Sequence, residues 1–314
     1  MSKTILTEYN VTNRLLKKQT RLAALGDVHG EYGKLERLKD IMRDLKVTSV
    51  LITGDMIESV VGSNFSRQKI VDLLQEISKY ATIICAIGNH DGVFGPDVPE
   101  EDRDRILEEN YNLWNELRNT DNVFIPELPK DVATATQVHL TDDIDVCTVN
   151  MPMDYYWFKE NPNEYVDYIN TLKMLQLQSE KFNILLAHSP KNILNGNSID
   201  EYIKELKKIN LILTGHMHAG LIPYNLRNKS GVGLTGPGKS IFPKNCYGVV
   251  EDEDIISITT GGVTKIADGS FGAPIKEIPG AKKLLDVIYP PEIEIINLAP
   301  GLDNTVNKVK EYTL

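Results

Sequence analysis

Three short apolar runs in the first part of the chain stop abruptly on the same kinds of residue. Arg21–Leu25 runs into Gly26-Asp27-Val28-His29-Gly30, Val50–Thr53 into Gly54-Asp55, and Ile83–Ile87 into Gly88-Asn89-His90-Asp91. Between them, Leu35, Leu38, Ile41, Met42 and Leu45 recur at helical spacing, as do Ile70, Leu73, Leu74 and Ile77. That periodicity predicts one helix over about 31–45 and a second around 70–77. Strand, helix, strand, helix, strand is a βαβαβ unit with a parallel sheet, so the chain belongs to the α/β class. Open sheets of this kind bind ligands beyond the carboxyl ends of their strands. Here each of those ends carries Asp, His or Asn.

The same punctuation returns later. Ile184–Ala187 ends on His188, and Leu211–Thr214 ends on Gly215-His216-Met217-His218. Elsewhere the pattern is looser. Residues 4–12 read as an N-terminal strand, about 101–119 as a helix, and Val123–Ile125, Gln137–Leu140 and Val146–Val149 as short strands of antiparallel type. Pro152–Asn163 reads as a loop rich in Tyr and Trp, followed by a helix to about Ser179. Ser198 and Glu201 form a capping box for a helix reaching Ile209. Ile255–Thr260 and Glu292–Leu298 read as strands separated by a Gly/Pro-rich loop.

Length and charge bound the rest. The 314 residues suffice for one large or two ordinary domains. With no repeat and no linker of disordered composition, the expectation is one domain over 1–314. Its site-bearing core is about 20–220, and strands and Gly-rich loops fill 221–314. A net charge of −10 argues against a non-specific nucleic-acid binder, which normally shows a basic face. It does not argue against an anionic substrate, because bound cations invert the local field. The three cysteines, Cys85, Cys147 and Cys246, are scattered and odd in number, as in a reducing cytoplasmic setting. No apolar secretory segment opens the chain and no run approaches a membrane span, so a cytoplasmic location is expected. The oligomeric state stays open.

Asp27, His29, Asp55, Asn89, His90, His188, His216 and His218 all stand at strand ends. Any one of them alone reads as a turn or cap residue; eight together read as a chelating set. Manganese, iron and zinc take imidazole nitrogen and carboxylate oxygen together. Asp-X-His and His-X-His let two side chains of one turn converge, and a carboxylate such as Asp55 can bridge two cations. Two cations about 3.5–4 Å apart clamp a phosphoryl group and supply hydroxide at neutral pH.

The order Asp-X-His, Gly-Asp, Gly-Asn-His-Asp, lone His, Gly-His-X-His over residues 26–218 resembles the calcineurin-like metallophosphoesterase superfamily. The resemblance implies that family's fold, two mixed β-sheets packed as a sandwich flanked by helices. It implies two metal ions, with manganese favoured over iron or zinc. Asp27, His29, Asp55 and His218 would hold one, and Asp55, Asn89, His188 and His216 the other. His90 would be the acid at the leaving oxygen, and a metal-activated hydroxide the nucleophile. Glu58 sits where the protein Ser/Thr phosphatases carry an acid that orients the catalytic His; a helix-start or loop glutamate is the plain alternative.

Departures shape the expected substrate. The Asp-Arg-Gly that follows the Gly-Asp block in protein phosphatases is absent from Gly54-Asp55-Met56-Ile57-Glu58-Ser59. The C-terminal third is similar instead to bacterial phosphodiesterases related to UDP-diacylglucosamine pyrophosphatase and cell-wall-associated phosphoesterases. It shares Pro237-Gly238, Phe242-Pro243 and Pro291-Glu292-Ile293 with them but has Ala219 and Leu221 where they have Gly and Gln. The expected reaction is hydrolysis of a phosphodiester or pyrophosphate bond in a small molecule. A phosphomonoesterase or a nuclease could use the same core. A non-catalytic scaffold fits poorly, since no ligand position is lost.

Gly233–Ser240 fits the P-loop expression, but polar residues precede it and Pro243 follows, where that motif needs a strand and a helix. Lys239 near a substrate phosphate is the other reading of that loop. Tyr155-Tyr156-Trp157-Phe158 is either a platform for a base or acyl chain, or a packed loop. His139 reads as structural or exposed, and Arg103 and Arg105 as an exposed helix face.

Overall fold

The computed structural model describes residues 3–57, 67–92, 100–129, 132–152, 154–157, 170–190, 204–228, 230–237, 240–252, 255–264 and 281–314. Along the chain come β1 (Ile5–Asn13), β2 (Thr20–Leu25), α1 (Tyr32–Asp44), β3 (Ser49–Ile52), α2 (Arg67–Ser78), β4 (Thr82–Cys85) and the single turn α3 (Asn89–Gly92). Then follow α4 (Glu100–Arg118), β5 (Val123–Phe124), β6 (Thr134–Thr141), β7 (Ile144–Asn150), α5 (Asp154–Trp157), β8 (Phe182–Ala187) and β9 (Leu211–Thr214). The C-terminal part holds β10 (Thr235–Gly236), β11 (Ser240–Ile241), β12 (Gly248–Asp252), β13 (Ile255–Thr259), α6 (Ala281–Ile288), β14 (Glu292–Pro300) and β15 (Thr305–Thr313).

Two mixed sheets result, ordered β15-β1-β14-β2-β3-β4-β5 and β12-β13-β9-β8-β7-β6. The period-2 alternation of a strand divides their side chains between two cores. Ala23, Leu25, Val50, Ile52, Ile83 and Cys85 face outward and meet Leu35, Leu38 and Met42 of α1, Ile70 and Leu74 of α2 and Trp114 of α4. Their neighbours Leu22, Ala24, Leu51 and Ile84 face inward and meet Val146, Ile184, Leu186, Leu211, Leu213 and Ile258 of the second sheet. The far face of that sheet packs Cys147, Val149, Leu185 and Ile212 against Leu172, Leu206 and Ile209. The layering is therefore helix, sheet, sheet, helix. Strands β3 and β9 are buried along their whole length, which is why they read as continuous apolar runs. Each fully buried Leu or Ile contributes roughly 1.5–3 kcal/mol. Helix α1 keeps Leu35, Leu38 and Met42 inward and gives way after Leu45, where Lys46 takes a left-handed conformation (φ 55°).

Four expectations need correction. Strand β5 pairs with β4 in parallel, not antiparallel, and β7, though antiparallel to β6, is parallel to β8. The helix expected to reach Ser179 has ended by 174, where the chain turns to feed β8. Tyr155–Trp157 lie in the helical turn α5 rather than in a loop. Within the Gly/Pro-rich region, residues 281–288 form α6. Strands β10, β11, β12 and β15 are additional to the strands read from the sequence. The Ser198–Glu201 capping box lies outside the described residues. No helix among the described residues is long and apolar enough to cross a membrane.

Candidate metal centre

Strands β2, β3 and β4 are parallel, so their carboxyl ends share one edge of the first sheet. Strands β8 and β9 are parallel too and end at the second sheet's matching edge. The residues after those ends turn sharply. Asp27, His29, Asp55, His216 and His218 all have positive φ, between 46° and 67°. Non-glycine residues seldom hold that conformation, and it concentrates where function fixes the backbone. Two glycines let these turns close on one another. A Cβ on Gly88 would stand 2.2 Å from Asp55 Oδ1, and one on Gly54 (φ +98°) 2.7 Å from His188 Nδ1.

The turns bring three groups of donor atoms together, each within 4.8 Å: Asp27, His29 and His218; His29, Asp55 and His90; Asp55, His188 and His216. Asn89 joins the last, its Oδ1 3.0 Å from His188 Nε2. Asp27 and Asp55 are fully buried, and His29, Asn89, His188 and His216 nearly so. The rings of His29 and His218 stack at 5.0 Å, His90 meets His29 edge-on at 4.7 Å, and His188 meets His216 at 4.6 Å.

Main-chain groups orient these side chains. Asp27 accepts from the His216 amide through both oxygens (3.0 Å each), and Asp55 Oδ1 accepts from the His90 amide (2.8 Å). His188 Nδ1 lies 2.8 Å from the Thr53 carbonyl and His218 Nδ1 2.7 Å from the Thr264 carbonyl. A carbonyl only accepts, so both Nδ1 atoms carry protons and the Nε2 atoms carry the lone pairs. This second partner is the usual companion of a metal-binding histidine.

With the tautomer so fixed, lone pairs converge. Asp55 Oδ2 is buried without a hydrogen-bond partner. It faces His188 Nε2 at 3.1 Å and His29 Nε2 at 3.5 Å. Burial pushes the His188 imidazole down, but the Asp55 carboxylate outweighs it and lifts the ring to about 9. Burial likewise works against ionisation of Asp55, but His188 and His90 hold it well below the carboxylate range. The proton drawn to His188 Nε2 marks where a cation belongs. Burial brings His218 down to about 4 and, with His188 nearby, His216 well below its ordinary value, so both rings are neutral and able to ligate. Buried carboxylates and neutral imidazoles aimed at common points are the donor set of a borderline divalent metal, and these residues fit one.

Three supporting groups escape side-chain logic. Asp91 is no ligand: its carboxylate accepts from the amides of Gly88, Asp55 and Met56 (2.8 Å each) and of Ile57 (3.1 Å). It ties the turn after β4 to the turn after β3. Thr53 and Thr264 act through carbonyl oxygens, which no residue type announces; Thr264 at least follows a strand end, β13, on the same edge. Tyr156 places its ring 5.3 Å from His216 and 5.7 Å from His188, so one ring of the aromatic run does reach the site. Glu58, Phe158 and Lys239 lie outside the described residues. Around Lys239, β10 and β11 form a short antiparallel pair, not the strand and helix of a P-loop. His139 is 66 % exposed on β6 and bound to buried Asp145, and Arg105 pairs with Glu109 on α4.

The family model for calcineurin-like phosphoesterases matches residues 20–220. No curated protein sequence matches the chain. Among solved structures it is similar to a dimetal phosphatase from Danio rerio, at 10 % identity over 81 % of this chain and 91 % of that one, with a TM-score of 0.44. It is similar to the phosphopantetheinyl hydrolase of Mycobacterium tuberculosis (13 %, 79 % and 91 %, TM-score 0.42). It is also similar to GAP50, the anchor in the inner membrane complex of Plasmodium (16 %, 79 % and 72 %, TM-score 0.40). The family match spans more than half of the chain, which belongs to the calcineurin-like phosphoesterases, a family of phosphoester hydrolases.

Proposed function

We propose that this calcineurin-like phosphoesterase hydrolyses a phosphodiester or pyrophosphate bond of a small molecule at a two-metal centre. One ion would be held by Asp27, His29, Asp55 and His218, the other by Asp55, Asn89, His188 and His216. The observation that carries this is the convergence of His188 and His29 Nε2 on the unpartnered Asp55 Oδ2. Bound cations would supply charge neutralisation at the phosphoryl oxygens and a water of lowered pKa. Manganese is the ion we favour.

The chain's own residues then have separable tasks. Thr53 and Thr264 fix two imidazoles as Nε2 donors. Asp91 holds the turns bearing Asp55 and His90 in register. His90 is half-buried where most of the set is buried, and we assign it the proton for the leaving oxygen. Tyr156 walls the His188–His216 side. Glu58 would orient His90. Strand β14 enters the first sheet between β1 and β2, which supports one domain over the whole chain. Three buried free thiols support a reducing, cytoplasmic setting.

A panel of phosphoesters run against several divalent metals tests the reading. Cleavage of bis-p-nitrophenyl phosphate or a pyrophosphate-linked small molecule with manganese is expected. Turnover of monoesters alone, or of single-stranded DNA alone, would replace the diesterase reading with one of its two alternatives. No turnover with any metal would contradict the enzyme reading.

A further inference from the structure

We infer that Arg227 and Glu292, both beyond the family-matched span, form a positioning pair for the Asp27–His218 half of the centre. They act through the turn Gly261–Thr264. The inference rests on the two-metal reading above.

The topology puts the pair at the right edge. Strand β14 runs antiparallel to β2, with Glu294 opposite Ala24, so β14 starts where β2 ends, beside Asp27. Strand β13 runs parallel to β9, with Thr259 opposite Thr214, so residues 260–264 leave the second sheet beside Gly215–His218. The turn therefore bridges the two sheets at the metal edge.

It bonds to backbone and ligand atoms of the site. Val263 N donates to Gly26 O (2.9 Å), Thr264 N to Asp27 O (2.8 Å) and Thr264 Oγ1 to Val28 O (2.9 Å). His218 Nδ1 donates to Thr264 O. Gly262, at φ +82°, comes so close that an added Cβ would stand 3.2 Å from Asp27 Oδ2. A single turn thus fixes the backbone of Asp-X-His and the ring of His218.

The turn is held in place from β14. Gly261 N donates to Glu294 Oε1 (2.9 Å), and Glu292 N donates to Gly262 O (3.3 Å). Gly261 also lies against the Glu292 carboxylate, where a Cβ would stand 1.7 Å from Oε2. That carboxylate is gripped bidentately by Arg227, Nη1 to Oε2 at 2.7 Å and Nη2 to Oε1 at 2.5 Å, with both side chains at most 10 % exposed. The guanidinium is itself set between two rings, 5.8 Å from the Tyr224 centroid and 5.0 Å from that of Tyr247. A planar, bidentate, stacked arginine holds a carboxylate in one orientation, which a lysine cannot do. Burying such a pair brings little net stability, so orientation is the better account of what it does.

The test is manganese binding by equilibrium dialysis to folded Arg227→Lys, Glu292→Gln and Gly261→Ala chains, with the His218 ring nitrogens followed by NMR. Gly261→Ala keeps both charges and wedges the turn away from Glu292, so it carries the test where a charge variant fails to fold. The expected result is a loss of roughly 10–100-fold in affinity for one ion, the second ion retained, and a shifted His218 Nδ1 signal. Two ions bound at wild-type affinity, or both ions weakened alike, would overturn the inference while leaving the two-metal reading intact. A wild-type chain that takes up fewer than two ions would overturn both.

Discussion

His188 Nε2 stands 3.1 Å from Asp55 Oδ2, while its other ring nitrogen is committed to the Thr53 carbonyl at 2.8 Å. Asp55 draws a proton onto that nitrogen, lifting the ring to about 9, and a cation between the two atoms takes the proton's place, so metal and fold are linked. Chelation is expected to lower the melting temperature and manganese to restore it. Ligand at a hundred times its dissociation constant stabilises by about 2.7 kcal/mol per site. Differential scanning calorimetry with and without chelator checks this, and the manganese shift should be largely lost in Asp55→Asn.

His90→Ala should leave metal content unchanged and lower kcat by about 10²–10⁴-fold. The loss should be larger for an alkyl leaving group than for p-nitrophenolate, which departs without a proton. Paired kcat and metal analyses on the two substrate types test the assignment. Equal losses on both would speak against His90 as the acid.

Asp91→Asn keeps the shape but puts an amide N–H₂ among four amide donors. Each stranded buried donor costs about 1–3 kcal/mol. A drop of roughly 2–4 kcal/mol in urea unfolding is expected, with metal affinity reduced because Asp55 and His90 lose their common anchor. Unchanged stability would show that Asp91 does not hold the two turns together.

The three thiols should be inert in the native chain. Burial pushes Cys147 up to about 12, Cys246 up to about 11 and Cys85 well above its ordinary value. The thiolate is the reactive form, so Ellman's reagent at mildly alkaline pH should find none until denaturant is added, and then all three.

Asp145 is expected to contribute to acid sensitivity. Burial alone would lift its carboxyl, but hydrogen bonds with His139, Lys181 and Gln137 carry it below the ordinary range. A carboxyl whose folded pKa is depressed stabilises above the unfolded value of about 3.9, and loses that contribution as pH falls through the folded pKa. Asp145→Asn should therefore cost stability near neutrality and show a smaller further loss in acid, read as melting temperature against pH.

The chelating set is legible because its chemistry sits in side chains and its positions are marked by apolar runs ending on Gly-Asp, Gly-Asn-His or Gly-His-X-His. Strands β2, β3, β4, β8 and β9 are legible for the same reason, being short, apolar and punctuated, whereas the sandwich they build comes from the family resemblance that the order of those blocks carries. The rest is harder to read for physical reasons. Strand β15 reads Thr-Val-Asn-Lys-Val-Lys-Glu-Tyr-Thr, an edge strand whose charges mask its alternation. Strand β5 has two residues, too few to tell parallel from antiparallel. Thr53 and Thr264 contribute carbonyl oxygens, which every residue possesses. Asp91 falls outside the chelating set in sequence, but its grip on four backbone amides is not legible there, because those partners are backbone N–H groups that every residue but proline carries.

The most direct measurement is the manganese content of the purified, dialysed chain beside its Asp55→Asn variant, taken with turnover of bis-p-nitrophenyl phosphate on the same samples. Two ions per wild-type chain, with at most one in the variant and turnover lost with it, is the expected result. A folded wild-type chain that binds no metal, or a variant that binds and turns over as the wild type does, would contradict a centre built on Asp55.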